Sequence, residues 1–489
     1  MSKADKAGKV VVVGGGNAGF AAAIAAAEKG AKVVLLEKAP EPEYGGNSRY
    51  TAGLIRFGFD DKEQVRKFVP QVPQAQWDKI RINPYPVQKY IDDLKLKSKW
   101  KADPELIRWM AEDSYGVMEW FVEHNVQWTF LTYIPNAIET GFGDGIVLET
   151  VGGGPGIVEM ERAEALRIGV EIRYQSTAYD LVTDDTGGVT GVKVRGPDGV
   201  SYVERGAVVL ASGGFEANPE MRTRYLGPGW NVVKVRGVRY NTGDLLDPAI
   251  RVGAQSNGHW AGCHCTTIDP TSPDLGTLES SDKTNKISFN WGISVNAAGE
   301  RFIDEGKDWN TKMYVSVGNA VSEQGGRAFQ IFDAVGVEHL DQRYDPDAAF
   351  IGDTLEEIAA QAGIDPAGLA HTVEKFNAAV QDDKPFDPTV LDGRAAVGVS
   401  PVKTNWATRI EQPPFVCYEV VTGITFTFGG LRVDRNAQVL DQGNVPIRGL
   451  YAAGEMTGGF FYYQYPAGSG LMCGALTGRA AGWHAAAQG

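Results

Sequence analysis

One stretch, residues 9–37, constrains the fold more than any other: KVVVVGGGNAGFAAAIAAAEKGAKVVLLE. Residues 10–13 are four valines, the continuous apolar run of a strand buried on both faces. Gly14, Gly16 and Gly19 then spell G-x-G-x-x-G. Residues 17–29 are alanine-rich and read as a helix that Gly30 ends. Residues 32–36 give a second apolar strand, with Glu37 at its carboxyl end. Gly14 permits the tight turn, Gly16 lets backbone approach a pyrophosphate, and Gly19 lets helix and strand pack closely. The helix N-terminus offers free N–H groups to phosphates, and Glu37 accepts hydrogen bonds from ribose hydroxyls. A βαβ turn with incidental glycines leaves an acid at the strand end unexplained, so a dinucleotide site is expected.

Two further segments choose among dinucleotides. Residues 43–53, EYGGNSRYTAG, form a Gly/Asn/Ser/Thr-rich loop of the kind that follows a pyrophosphate towards a ring system. Residues 447–459, IRGLYAAGEMTGG, run an apolar strand into A-A-G-E, with Glu455 as a second cofactor-facing acid. A fingerprint at one end and A-A-G-E at the other favour FAD over NAD.

The chain resembles the flavoprotein subunits of fumarate reductase and succinate dehydrogenase and their soluble relatives. The resemblance lies in GGNS at 45–48, ASGGF at 211–215, TGD at 242–244 and TFGG at 427–430. Within that group it is most similar to FAD-dependent tricarballylate dehydrogenases, notably over 213–230, 234–244 and 424–434. The resemblance implies a Rossmann-type α/β FAD-binding domain, residues 1–257 and 425–489, with an inserted α+β capping domain, residues 258–424. It also implies cofactor contacts from Ala18, Asn17 and Lys38, from Gly46, Asn47, Ser48, Thr51 and Gly53, from Ala178, Ala211 and Gly213, and from Gly454, Glu455, Ser469 and Leu471. No histidine stands near Thr51, where succinate dehydrogenases attach the flavin, so non-covalent FAD is expected.

Size and charge bound the rest. A chain of 489 residues is too long for one simple core. A net charge of −14 argues against nucleic-acid and anionic-membrane partners. Four cysteines make no disulfide framework, C-x-C at 263–265 with His259 lacks zinc spacing, and no metal is expected. No apolar run matches a bilayer span and no leader is visible, so a cytoplasmic protein, not integral to a membrane, is expected. Its partners would be a small-molecule substrate and an electron acceptor, either a small molecule or a redox protein. Along the chain, residues 60–105 read as a surface excursion with short helices, and 104–125 as a helix capped by Asp103. Residues 152–156 read as a turn before a helix over 157–168. Four short strands at 170–174, 178–182, 189–195 and 201–204 read as an antiparallel segment. Helices are read at 355–362 and 367–381.

Flavin chemistry on an unactivated C–C bond needs a hydride route, a proton route and a polarised carbonyl or carboxylate. His264 falls where fumarate reductases hold a substrate carboxylate. Tyr465, in FFYYQYPAGSG, stands where they carry a clamping arginine, and ketosteroid dehydrogenases carry a similar Tyr/Pro/Gly segment whose tyrosine polarises a ketone. Tyr465 with Ser469 or Gly470 would do the same. Trp309 stands at the spacing of the reductases' proton-donating arginine; ketone desaturases use a tyrosine from the cap, and that resemblance makes Tyr314 the candidate proton acceptor. Thr425 is the candidate hydroxyl on the return strand. The expected activity is an FAD-dependent dehydrogenase, or desaturase, acting beside a carboxylate or ketone and resembling tricarballylate dehydrogenase. A ketosteroid-dehydrogenase-like desaturase of a cyclic ketone and an enoate reductase are the alternatives, and a flavin carrier that binds no substrate is a third.

Overall fold

The computed structural model describes residues 8–131, 142 and 145–488. The fingerprint folds as β1 (Lys9–Val13), α1 (Asn17–Glu28) and β2 (Lys32–Leu36). Further along come α2 (Pro104–Glu123), β3 (Glu171–Arg173), β4 (Ala207–Leu210), β5 (Ser256–Ile268), α3 (Asn310–Glu323), β6 (Arg327–Phe332), β7 (Phe415–Leu431), β8 (Gln438–Leu440), β9 (Pro446–Ala452) and α4 (Ser469–Gln488). The first sheet runs β8-β9-β4-β1-β2-β3, parallel except for β8. Residues 10–13, 33–36 and 208–210 of its inner strands are apolar and buried, packed against α1 and α4 and against the strands Val189–Arg195 and Ser201–Arg205. The acid of the fingerprint follows β2 and the A-A-G-E turn follows β9; these strands are parallel, so both leave the sheet at the same, carboxyl edge.

Helices α1 and α4 approach closely through a stripe of small residues. A side chain at Gly478 would come within 2.3 Å of the Ala18 carbonyl, and one at Gly482 within 2.2 Å of that of Ala22. The Asn17 side chain donates to the Leu471 carbonyl at 2.8 Å, so both helix N-termini meet at the sheet's carboxyl edge.

A second sheet is organised by β7, seventeen residues long. Its first half pairs with β6 and with Phe350–Gly352, and its second half with β5. A bulge over residues 260–262 re-aims β5, so that His264 opposes Phe426. Cys263 and Cys265 turn to the other face, into a small cluster with Val235 and Ile424. Leu355–Ala362, Pro366–Ala379 and neighbouring strands bury a separate apolar cluster.

Three local readings are corrected. Residues 60–105 are more than a surface excursion: Trp77, Tyr85 and Tyr90 are fully buried in the main core. The glycine run at 152–156 lies within the start of a helix, Gly153–Arg167. Its glycines are needed because a Cβ at Gly154 would sit 2.4 Å from the Thr51 carbonyl, and one at Gly156 1.9 Å from that of Val151. The strand expected at 170–174 is β3 of the parallel sheet, whereas Thr177–Thr183, Val189–Arg195 and Ser201–Arg205 make a separate antiparallel sheet. Asp103 caps α2, accepting from the Glu105 N–H at 2.9 Å. No helix of the described residues is long and apolar enough to cross a membrane.

Candidate functional site

A long cleft follows the carboxyl edge of the first sheet and ends beneath the second. At its outer end Glu37 is buried, and its carboxylate accepts from the Gly15 and Ala39 N–H groups, both at 2.7 Å. Burial pushes its acidity down, so its pKa rises, against the opposing pull of those hydrogen bonds. Lys38 is held beside it by Thr242 Oγ1 at 2.6 Å and Asp244 at 2.7 Å. Ala178, Ala211 and Gly213 line the same end. Gly14 has φ +107°, and a Cβ there would lie 2.3 Å from the Ala211 carbonyl. A Cβ on Gly19 would lie 1.8 Å from the Gly14 carbonyl.

The middle of the cleft is backbone-rich. Gly16, the N-cap of α1, has no side chain to cap the helix, and Gly16, Asn17 and Ala18 at this end line the cleft. Ser48 Oγ accepts from the Asn17 N–H at 3.1 Å. Asn17, Ala18, Gly46, Asn47, Thr51, Gly454, Glu455 and Leu471 complete the walls. Asn47 crosses between loops: its amide donates to the Thr425 carbonyl at 2.6 Å and its oxygen accepts from the Val238 N–H at 2.8 Å.

The inner end is aromatic and polar. His264 Nε2 stands 2.9 Å from the Tyr314 hydroxyl. Its ring stacks on Phe426 at 5.1 Å and meets Tyr465 edge-on, also at 5.1 Å. Burial, reinforced by the Arg236 charge, holds the imidazole pKa well below the ordinary histidine value, so His264 is neutral. Burial raises the Tyr465 phenol, which is hydrogen-bonded to Tyr314. Thr425 Oγ1 accepts from Arg236 at 3.0 Å. Arg236 also pairs with Asp282 at 2.7 Å, and Arg343 pairs with the other oxygen of Asp282 at 3.0 Å.

The sequence matches the family described as "FAD binding domain" over residues 9–471. The chain belongs to this family, among the fumarate reductase and succinate dehydrogenase flavoproteins. It is 30% identical to the urocanate reductase of Eggerthella lenta, over 92% of this chain and 70% of that one. It is 28% identical to the 4-oxocyclohexanecarboxylate 2-dehydrogenase of Sinomonas cyclohexanicum, over 96% of this chain and 90% of that one. The fold is similar to that of an open flavocytochrome c3 fumarate reductase, with TM-score 0.70 and 27% identity over 98% of this chain and 78% of that one. The protein is an FAD-dependent oxidoreductase.

The chain's own residues fit that cofactor. The bare N-terminus of α1, the glycine backbone at 14–16 and the buried acid Glu37 give a dry cradle for a pyrophosphate and a ribose. The buried Asn17 Oδ1 has no donor among the described residues.

Two residues singled out from sequence do not line the cleft. Ser469 is fully buried with its hydroxyl on Tyr90 at 3.0 Å, and Gly470 and Leu471 take the lining positions. Gly53, at φ +76°, packs against Thr150 and Gly153. Trp309 points at Trp406, 5.4 Å away between ring centres, and is not a lining residue. Among the described residues the cleft's arginines are Arg236 and Arg343, which sequence reasoning missed; the basic residues Arg301, Lys307, Lys403 and Arg409 of the inserted segment do not line it. Arg236 lies inside the K-V-R-G-V-R-Y stretch that carries the family resemblance, a signal available but unused; nothing local marks Arg343.

Proposed function

We propose that this protein moves a hydride between FAD and a C–C bond next to a carbonyl, with residues 258–424 closing over the site as a cap and residues 1–257 and 425–489 holding the cofactor. The observation that carries the reading is the contact of the Tyr314 hydroxyl with neutral His264, 2.9 Å apart, beside the Tyr465 phenol. Bound FAD supplies the two-electron hydride acceptor or donor. Tyr314 exchanges the proton at the carbon next to the carbonyl, and His264 shares that proton through its Nε2. Tyr465, kept protonated by burial, donates to the carbonyl oxygen as negative charge develops there. The N-terminus of α4, reaching the cleft at Gly470 and Leu471, adds positive potential on the same side. Walls of Phe426, Phe461 and Tyr465 exclude water from the exchange.

The charge at the inner end points to a substrate with few negative groups. Arg236 and Arg343 share Asp282, and Arg343 also binds Asp341, so two cations face two anions. A cyclic ketone, or a ketone bearing one carboxylate, suits that balance. The named substrate of the Sinomonas relative has one of each group. A polycarboxylate such as tricarballylate is the second reading, favoured by the presence of both guanidinium groups in the cleft wall. The same proton and hydride routes serve the reverse, enoate-reducing direction.

The test is anaerobic mixing of FAD-loaded protein with each substrate class. Bleaching by a 4-oxocyclohexane carboxylate or a cyclic ketone supports the first reading, and bleaching by tricarballylate alone supports the second. Re-oxidation of pre-reduced protein by an unsaturated acid marks the reducing direction. If none of these changes the flavin spectrum, the proposed chemistry is wrong.

A further inference from the structure

Behind the cleft wall the buried Glu216 meets Glu455, a residue of the wall itself. Glu216 follows the A-S-G-G-F segment and is fully buried. Its Oε1 accepts from the side-chain amides of Asn47 and Asn241, the latter at 2.6 Å. Its Oε2 receives no donor from the described residues. Glu455 borders the cleft, and its Oε1 accepts from the Thr427 N–H at 2.6 Å and from Thr427 Oγ1 at 3.1 Å. The two carboxyl groups are in hydrogen-bond contact. A Cβ on Gly214 would lie 2.1 Å from Glu455 Oε1, so backbone is packed directly on the pair.

Carboxylates in contact cannot both stay ionised in a dry site, and a hydrogen bond between them requires a proton. Glu216 Oε2, lacking any other donor, is where that proton is held. The charged or titratable groups facing the pair from neighbouring elements are Arg222 and Cys263. The Arg222 guanidinium is committed to the carbonyls of Val233 and Asn231, at 2.6 and 3.0 Å. Burial keeps the Cys263 thiol protonated. Cys263 supplies no counter-charge, and Arg222 offers one positive charge against two acids, so the pair keeps one proton. Burial correspondingly pushes Glu455 up to about 7 and Glu216 well above the usual carboxylate range.

We propose that Glu216 and Glu455 form a proton-storing pair that takes a second proton from solvent when FAD in the cleft is reduced. The inference depends on FAD binding there and on no choice of substrate. Two electrons from an external reductant add negative charge to the cleft, and negative charge raises the proton affinity of the acids bordering it. The pair passes from one shared proton, net charge −1, to two carboxylic acids, net charge 0. The proton enters from the cleft side through Glu455. Asn47, bonded to both Glu216 and the Thr425 carbonyl, ties the pair to the inner end of the cleft.

Potentiometric titration of the FAD-loaded protein with dithionite, from about pH 6 to pH 9, tests the pair. One extra proton per two electrons is a tenfold change in the equilibrium per pH unit, about 30 mV. The wild-type potential should fall more steeply with pH than that of Glu216→Gln by that amount over part of the range. Equal slopes would overturn the proposal. A readout independent of any variant is the reduced-minus-oxidised infrared difference spectrum in H2O and D2O. A carboxylic-acid C=O band that grows on reduction and shifts in D2O is expected. Its absence overturns the proposal even if the variant fails to fold, whereas failure to retain FAD at all would instead remove the cofactor assignment.

Discussion

Tyr314→Phe removes one hydroxyl from the inner end of the cleft and leaves the rest of the side chain in place. The ring sits on α3, buried, with its centre 5.0 Å from that of His264 and 6.4 Å from that of Tyr465, contacts a phenylalanine preserves. What is lost is the 2.9 Å hydrogen bond to His264 Nε2, together with the hydrogen bond to the Tyr465 phenol. Leaving that buried nitrogen without its partner costs about 1–3 kcal/mol of stability. Domains of this size are stable by about 5–15 kcal/mol, so the variant folds. FAD retention should be unchanged, because the cofactor cradle lies at the fingerprint. If Tyr314 exchanges the substrate proton, its loss removes general acid–base catalysis worth about 10²–10⁴-fold, or about 3–5 kcal/mol of barrier. The assay is anaerobic stopped-flow bleaching with the best substrate, with Tyr463→Phe as control. Tyr463 is exposed at the rim, stacked under Lys99, and its hydroxyl loss should change the rate less than about twofold. Because burial and Arg236 hold His264 neutral, the wild-type rate should show no histidine titration near the ordinary value of about 6.5. A Tyr314→Phe protein that keeps its FAD and bleaches within about threefold of wild type would refute the role given to this hydroxyl.

Gly14→Ala forces a side chain onto a residue at φ +107° and 2.3 Å from a backbone carbonyl, so FAD should be lost on gel filtration and unfolding should come earlier by at least about 1–3 kcal/mol. Glu161 is buried with neither carboxyl oxygen bonded to a donor among the described residues, and burial raises its pKa well above the usual value. The unfolded group ionises above about pH 4.5 while the folded one keeps its proton, so its penalty grows as pH rises. Glu161→Met should therefore raise the melting temperature more at pH 8 than at pH 4, and an equal or negative shift at both would contradict this. Lys403 is buried on the carbonyls of Asn290 and Gly292, each at 2.7 Å, and burial lowers its pKa to about 8. Between about pH 8 and 10.5 the unfolded lysine binds a proton that the folded one lacks, so this residue adds stability as pH rises, by roughly 1.4 kcal/mol per unit. Chemical denaturation across that range should be flatter by this amount in Lys403→Met.

The cofactor end of the molecule was readable from the linear chain because its determinants are local. A strand, a glycine turn, a helix and a terminal acid fall within residues 9–37, and the same holds for A-A-G-E after β9. Each part acts on its neighbours a few positions away, so spacing alone carries the information. Local reading failed where glycine or proline has a distant cause. The run at 152–156 looks like a chain break, but these glycines answer the backbones of Thr51 and Val151 pressed against them. Residues 60–105 look like surface by their prolines and charges, yet Tyr90 reaches Ser469 in the core and turns that serine away from the cleft.

The inner end was decided by tertiary structure. Residues 236, 282 and 343 are separated by dozens of positions, and only the packing of the second sheet joins them into one ionic chain. The bulge in β5 decides that His264, rather than Cys263 or Cys265, faces Tyr314, since a one-residue change in register turns every side chain to the opposite face. The amino-acid order by itself determined that this protein holds FAD, because a cradle for phosphate is made by short-range backbone geometry. Which side chains stand before the reacting carbon was left to long-range pairing, because strands distant in sequence must first find one another.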